Sequence, residues 1–179
     1  MNPAHIEMEK VREYSRYARV VSTFCLVSLA AAICFLLLKK LPDASRPDAR
    51  FWVIAGLIST ALYGGFLYVL RRLFDTLAGG EIFSSRNVGH VRSIAHIFGG
   101  MGVFKVLVLL AYGILVANGV IEDSVPKPGY KEPEDVVLVD VFRHFLMAGI
   151  LMLASWIMKV GLGVRREADD LKRDAELVV

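Results

Sequence analysis

Residues 71–98 read RRLFDTLAGGEIFSSRNVGHVRSIAHIF, a charged, glycine-punctuated stretch between two long apolar segments. One further apolar run lies beyond each of those segments, so two runs precede the stretch and two follow it. A bilayer core of about 30 Å is crossed by about 20 mostly apolar residues in a helix. The runs at 20–38, 51–70, 97–118 and 141–164 all come close to that length. The stretch is therefore read as the central connector of an all-α, four-helix transmembrane bundle, and the chain (1–179) as a single membrane domain.

Composition points the same way. The chain has 179 residues, of which 55% are hydrophobic, and a mean hydropathy of +0.52. A soluble domain is about 45–50% apolar, with those residues dispersed at helix or strand periods. Here they are gathered into long runs, and the segments between them are too short for a typical separate domain. The net charge of +3 is too small to indicate a nucleic-acid partner, and none is expected. Cys25 and Cys34 both lie in the first run, nine residues apart. That is about 900° around a helix, so they face opposite ways and read as small apolar fillers.

Toward the N-terminus, Asn2 and Pro3 form a helix start, with an Asn cap and a proline whose missing N–H costs nothing there. The residues up to Arg19 mix charges with Ile6, Val11, Tyr14 and Tyr17. This pattern suits a helix that lies at the membrane surface and then turns in. In the second run, Gly56, Thr60 and Gly64 stand four apart on one face, a small-residue ridge that admits another helix backbone. Its expected partner is a helix of the same chain, and a second protomer or a larger membrane complex is the alternative.

Beyond the connector, Lys105 is the one formal charge within the third run. A lysine at the bilayer centre costs about 2.5–3.5 kcal/mol on the insertion scale. The surrounding Val, Leu, Ile and Phe side chains return about 0.3–0.6 kcal/mol each, so the span inserts despite the charge. No acid is expected at comparable depth on the other spans. Three readings stay open for Lys105: snorkelling to the headgroups, an intramembrane ion or proton site, and packing against Tyr68 or Ser155.

An acidic, proline-rich segment follows, within residues 118–143, and Pro133 with Glu134 and Asp135 can open the last helix. At the outer end of the fourth span, Asp140, Arg143 and His144 share one helix face. Interfacial capping accounts for them, and an extracytoplasmic ligand or pH-sensing site is the alternative. The tail after residue 164 is expected to stay helical through i,i+4 pairs such as Arg165–Asp169 and Lys172–Glu176. Val164, Ala168, Leu171, Ala175 and Val178 form an apolar stripe on it, expected to pack on a neighbouring helix of the same protein, with a foreign partner as the alternative.

Signals for chemistry are absent from the sequence. It has no phosphate-binding loop, no nucleophile elbow and no HExxH motif. Gly99, Gly100 and Gly102 follow no strand, and His90 and His96 lack the i,i+4 spacing of a metal pair. No enzyme, cofactor or metal site is expected.

The connector itself is built from stop and start signals. Gly79 and Gly80 supply the left-handed geometry of a helix stop. Ser84 caps the next helix, with Phe83 and Val88 placed as a hydrophobic staple. The pattern L-A-G-G-E-I-F-S-S-R-N-V-x-x-V-R-x-I resembles the central motif of the domain of unknown function 2975 family, small bacterial four-span membrane proteins. The resemblance covers residues 51–179 and departs from the family at the Leu-Val-Val terminus. It implies no known reaction. It does imply a small helix-turn-helix regulator as a partner, since such genes often stand beside those of the family, and a place in the bacterial inner membrane.

The expectation that follows is a regulatory or sensory membrane protein in the lipid bilayer, contacting a cytoplasmic partner through Gly79, Gly80, Glu81, Phe83, Ser84, Asn87 and Arg92. The alternatives are a small transporter or channel component using Lys105, Tyr112 and the glycine-rich start of the third span, and an accessory subunit packed through the Gly56–Gly64 ridge. Thirteen Lys and Arg residues lie on the connector side and seven on the other, with Lys105 between them. By the positive-inside bias both termini are cytoplasmic, though Lys39 and Lys40 weigh against it. In a chain lacking the native cysteines, an Asp123→Cys variant is expected to react with an impermeant thiol reagent in intact cells. Reaction only after the cells are opened reverses the orientation.

Overall fold

The computed structural model describes residues 3–35, 37–38, 47–79, 84–120 and 133–177. Four long helices account for nearly all of them: α1 (Pro3–Phe35), α2 (Pro47–Ala78), α3 (Ser85–Ala117) and α4 (Pro133–Leu177). All four are long and apolar enough to cross a membrane. The fold is an all-α, four-helix bundle of the multi-pass membrane type, with no strand among the described residues.

Three of the four helices begin at a proline. Proline is pre-set for the first helical turn, where its missing N–H removes nothing. The fourth, α3, begins with a capped serine. Ser84 is extended (φ −128°, ψ 152°), and its Oγ accepts from the Asn87 backbone N–H at 3.2 Å. This is the restart expected in the connector. Phe83, the other half of the proposed staple, lies outside the described residues, as do Gly80 and Glu81.

Of the Gly79–Gly80 pair expected to stop a helix, only Gly79 is among the described residues. Gly79 donates to the Asp75 carbonyl as an ordinary helical residue would, and it does not have positive φ. Gly119 does, at φ +68°. The Gly119 N–H donates to Val116 O and the Val120 N–H to Leu115 O, both at 3.0 Å. Those two bonds close α3 as a Schellman motif, so among the described residues the glycine with left-handed geometry lies past the third span.

α1 also departs from expectation. No glycine or proline interrupts it after Pro3, and it runs unbroken from the charged N-terminal segment through the apolar run. The segment and the span therefore belong to one helix, with neither residue between them to set a sharp turn. Asn2 lies outside the described residues.

Each helix packs chiefly on its neighbour in sequence: α1 on α2, α2 on α3, and α3 on α4. Among the described residues the buried apolar ones, Ile94, Ala95 and Met101, are all on α3. Lipid is as apolar as leucine, so helices in a bilayer associate through close van der Waals contact and polar ties. The contacts show both. A Cβ at Gly64 would meet Leu29 of α1 at 3.3 Å, so that end of the small-residue ridge packs within the chain. At Gly56 a Cβ would meet nothing within 4 Å, and the Thr60 hydroxyl turns back to the Gly56 carbonyl at 2.7 Å. The closest approach is at Gly102, where an added Cβ would lie 3.1 Å from the Phe145 ring of α4.

Overpacking a tight contact costs about 1–3 kcal/mol. Gly102→Leu is therefore expected to lower the thermal unfolding midpoint in mild detergent, while Gly100→Leu, at a position with open space, leaves it nearly unchanged. Equal midpoints would show that α3 and α4 do not meet at Gly102.

Candidate functional site between α3 and α4

The depth of Lys105 follows from helix register. Phe66 of α2 meets Phe98 of α3 edge-on, with ring centroids 5.2 Å apart. Nearer the far end, Trp52 meets Tyr112 at 5.4 Å. α2 and α3 therefore run antiparallel with these pairs level. Lys105 is seven residues beyond Phe98, and Ser59 seven residues before Phe66, which puts the two side by side. Ser59 lies near the middle of the uncharged 51–70 run, about 12 Å from one end and 16 Å from the other at 1.5 Å per residue. A lysine stem cannot span that distance.

The charge is met in place. Lys105 Nζ pairs with Asp140 Oδ2 across the α3–α4 contact. The two side chains are 22% and 29% exposed, and what they face in a bilayer core is hydrocarbon. The expectation that no acid shares the depth of Lys105 is thus overturned. α4 starts at Pro133, so Asp140 lies about two turns inside a helix, and not in the loop before a span beginning at residue 141. Snorkelling, and packing against Tyr68 or Ser155, give way to the same finding. Ser155 Oγ instead donates to the Val88 carbonyl at 3.3 Å, and Tyr68 lies under the Arg72 guanidinium, 5.2 Å from ring centroid to Cζ.

Asp140 organises the rest. Its Oδ1 accepts from Arg143 Nη2 at 2.5 Å, one turn along the same helix. His144 is 2% exposed, with Nδ1 2.7 Å from the Asp140 backbone oxygen. A carbonyl oxygen can only accept, so Nδ1 carries the proton in that bond. The imidazole ring lies against Phe98, with centroids 5.9 Å apart. One carboxylate therefore faces a lysine, an arginine and a histidine, and with both basic side chains charged and the imidazole neutral the cluster carries one excess positive charge. It offers ion-pair exchange beside an imidazole whose Nδ1 is held by the helix backbone. Among the described residues no group of three His, Cys, Asp or Glu is placed to hold a metal ion.

The connector residues are scattered by comparison. Asn87 is fully buried and its Oδ1 meets the Thr76 hydroxyl, tying α3 to the end of α2, so it is turned away from any partner. Ser84 is engaged as a cap, while Gly79 and Arg92 are exposed. Nearby, Arg19 of α1 and Asp75 of α2 form an exposed pair at 3.2 Å that the residue pattern alone did not indicate.

No family model, curated protein or solved structure matches the chain. The resemblance carried by the connector pattern therefore rests on those residues alone.

Removing one partner of a buried pair leaves a charge stranded, and residues in contact couple by about 0.5–3 kcal/mol. Lys105→Met and Asp140→Asn are each expected to destabilise the bundle. The double variant should lose less than the two single losses added together, as read by chemical denaturation in detergent. Strict additivity would mean that the pair does not form.

Proposed function

We propose that the chain is a non-enzymatic regulatory or sensory protein of a bacterial inner membrane, with both termini, the connector and the α4 tail in the cytoplasm. The observation that carries this reading is the continuity of α4. Its 45 residues form one helix of about 68 Å, more than twice the thickness of a bilayer core. It holds the charge cluster near one end and extends past the first residues of α3 at the other. A shift of α4 at the cluster is thereby passed to its far end without an intervening hinge. On the positive-inside count that end lies beside the exposed connector residues, within reach of a cytoplasmic partner, and a helix-turn-helix regulator is the one that the family resemblance favours.

A second reading has its own observation. Ionisable residues at membrane depth commonly mark ion or proton paths, and Lys105, Asp140 and His144 are such a set. The two separate in paired experiments. In a deletion strain, the regulatory reading expects altered transcript levels, restored by the wild-type gene but not by one truncated after Val164. Unchanged transcripts on deletion sink it. Proton or ion flux in liposomes that disappears in Lys105→Met would establish the second.

A further inference from the structure

The tail stripe was expected to pack within the chain, and it does not. Val164, Ala168, Leu171 and Ala175 are all exposed, Val164 at 61% and Leu171 at 69%. Val178 lies outside the described residues. The reason is length: Ser155 is already level with Val88 near the start of α3, so α4 runs about five turns beyond the helix that it packs on.

The stripe also extends inward. The positions 150, 157, 164, 171 and 178 are Ile, Ile, Val, Leu and Val, while 154, 161, 168 and 175 are Ala, Gly, Ala and Ala. Large aliphatic and small residues thus alternate at four- and three-residue steps over four heptads. A strict seven-residue repeat of this kind winds helices into a left-handed coil, with knobs at one position and room at the other. This face stands about 140° around the helix from the one that α3 covers, where Ala148 meets Gly99 and Ser155 meets Val88. Ile150 and Ile157 are exposed, and a Cβ at Gly161 would meet nothing within 4 Å.

The flanking charges say what covers it. On one side of the seam stand Arg165 and Lys172, and on the other Glu167 and Asp174. In a parallel pair of identical helices, each flank faces the opposite flank of the other copy, and Glu167 reaches the partner's Lys172. In an antiparallel pair each flank meets itself, and like charges oppose. Two copies inserted in one membrane with the same orientation necessarily run parallel, which is the arrangement that the charges favour. We infer that the occupant of this face is a second copy of the chain, and that α4 forms a parallel, left-handed homodimeric coil running from residue 150 within the membrane to the end of the tail. This goes beyond the functional reading and does not depend on it.

The test uses the full chain in native membranes, with Cys25 and Cys34 replaced by alanine. Single cysteines are placed on the seam (Ile157→Cys, Val164→Cys, Leu171→Cys) and off it (Arg166→Cys, Asp170→Cys, Arg173→Cys), then oxidised. Disulfides form only where Cα atoms come within about 7 Å, so on the order of tenfold more linked dimer is expected on the seam. Equal yields, or monomer throughout, overturn the proposal. Adding Glu167→Lys to Leu171→Cys should reduce the linked dimer severalfold, and adding Lys172→Glu as well should restore it. Failure of the double exchange to restore, or a cross-linked product of another mass, assigns the face to a different protein and also overturns it.

Discussion

The pairing of Lys105 with Asp140 sets the register in which α3 and α4 meet, and much of the bundle depends on that register. Apolar side chains gain little by exchanging lipid for one another, so greasy surfaces alone do not choose between one sliding position and the next. A charge at membrane depth does choose. Moving α4 by one turn, about 5.4 Å, would carry Asp140 away from Lys105 and the Phe145 ring away from Gly102. The ion pair and the glycine notch therefore select the same alignment, one by electrostatics and the other by fit.

The two ends of the bundle are held by different means. At the connector end the ties are polar: the Ser84 cap, the Asn87–Thr76 contact and the Arg19–Asp75 pair. At the opposite end of α2 and α3 they are aromatic, with Phe51, Trp52 and Tyr112 gathered into one cluster. Hydroxyls elsewhere fold back onto their own helices, as Thr23 does on Arg19 O and Ser93 on Gly89 O. In a medium without water every such donor has to find its acceptor inside the protein. Very little of the molecule is buried within one chain, and α4 is the helix that leaves most of its length uncovered.

The four helices were legible in the sequence because run length and charge spacing are strong signals at membrane scale. Local capping was legible too, at Ser84, where a short polar side chain precedes a helical pattern. What escaped were matters of register between helices. Lys105 and Asp140 are 35 residues apart in the chain, and no periodicity within either helix says that they face each other. A signal did exist in Pro133 followed by two acids, which marks the true start of α4 and draws Asp140 inside it. The stop at Gly119 was missed because the paired glycines at 79 and 80 look the stronger. The tail stripe was read correctly as an apolar face, but what lies opposite a face is a property of the bundle, and the length of α3 decides it.

The separations along the chain also bear on the order of assembly. Thr76 and Asn87 are only eleven residues apart, so their contact closes a short loop as soon as the start of α3 is made. Lys105 has no such near neighbour. Its carboxylate partner is synthesised 35 residues later, after the whole of the third span and the segment beyond it. During that interval the third helix carries an unneutralised cation at the level of the hydrocarbon, held there only by its apolar flanks. The arrival of α4 then removes the mismatch, and in doing so fixes the register of the second hairpin, α3 with α4.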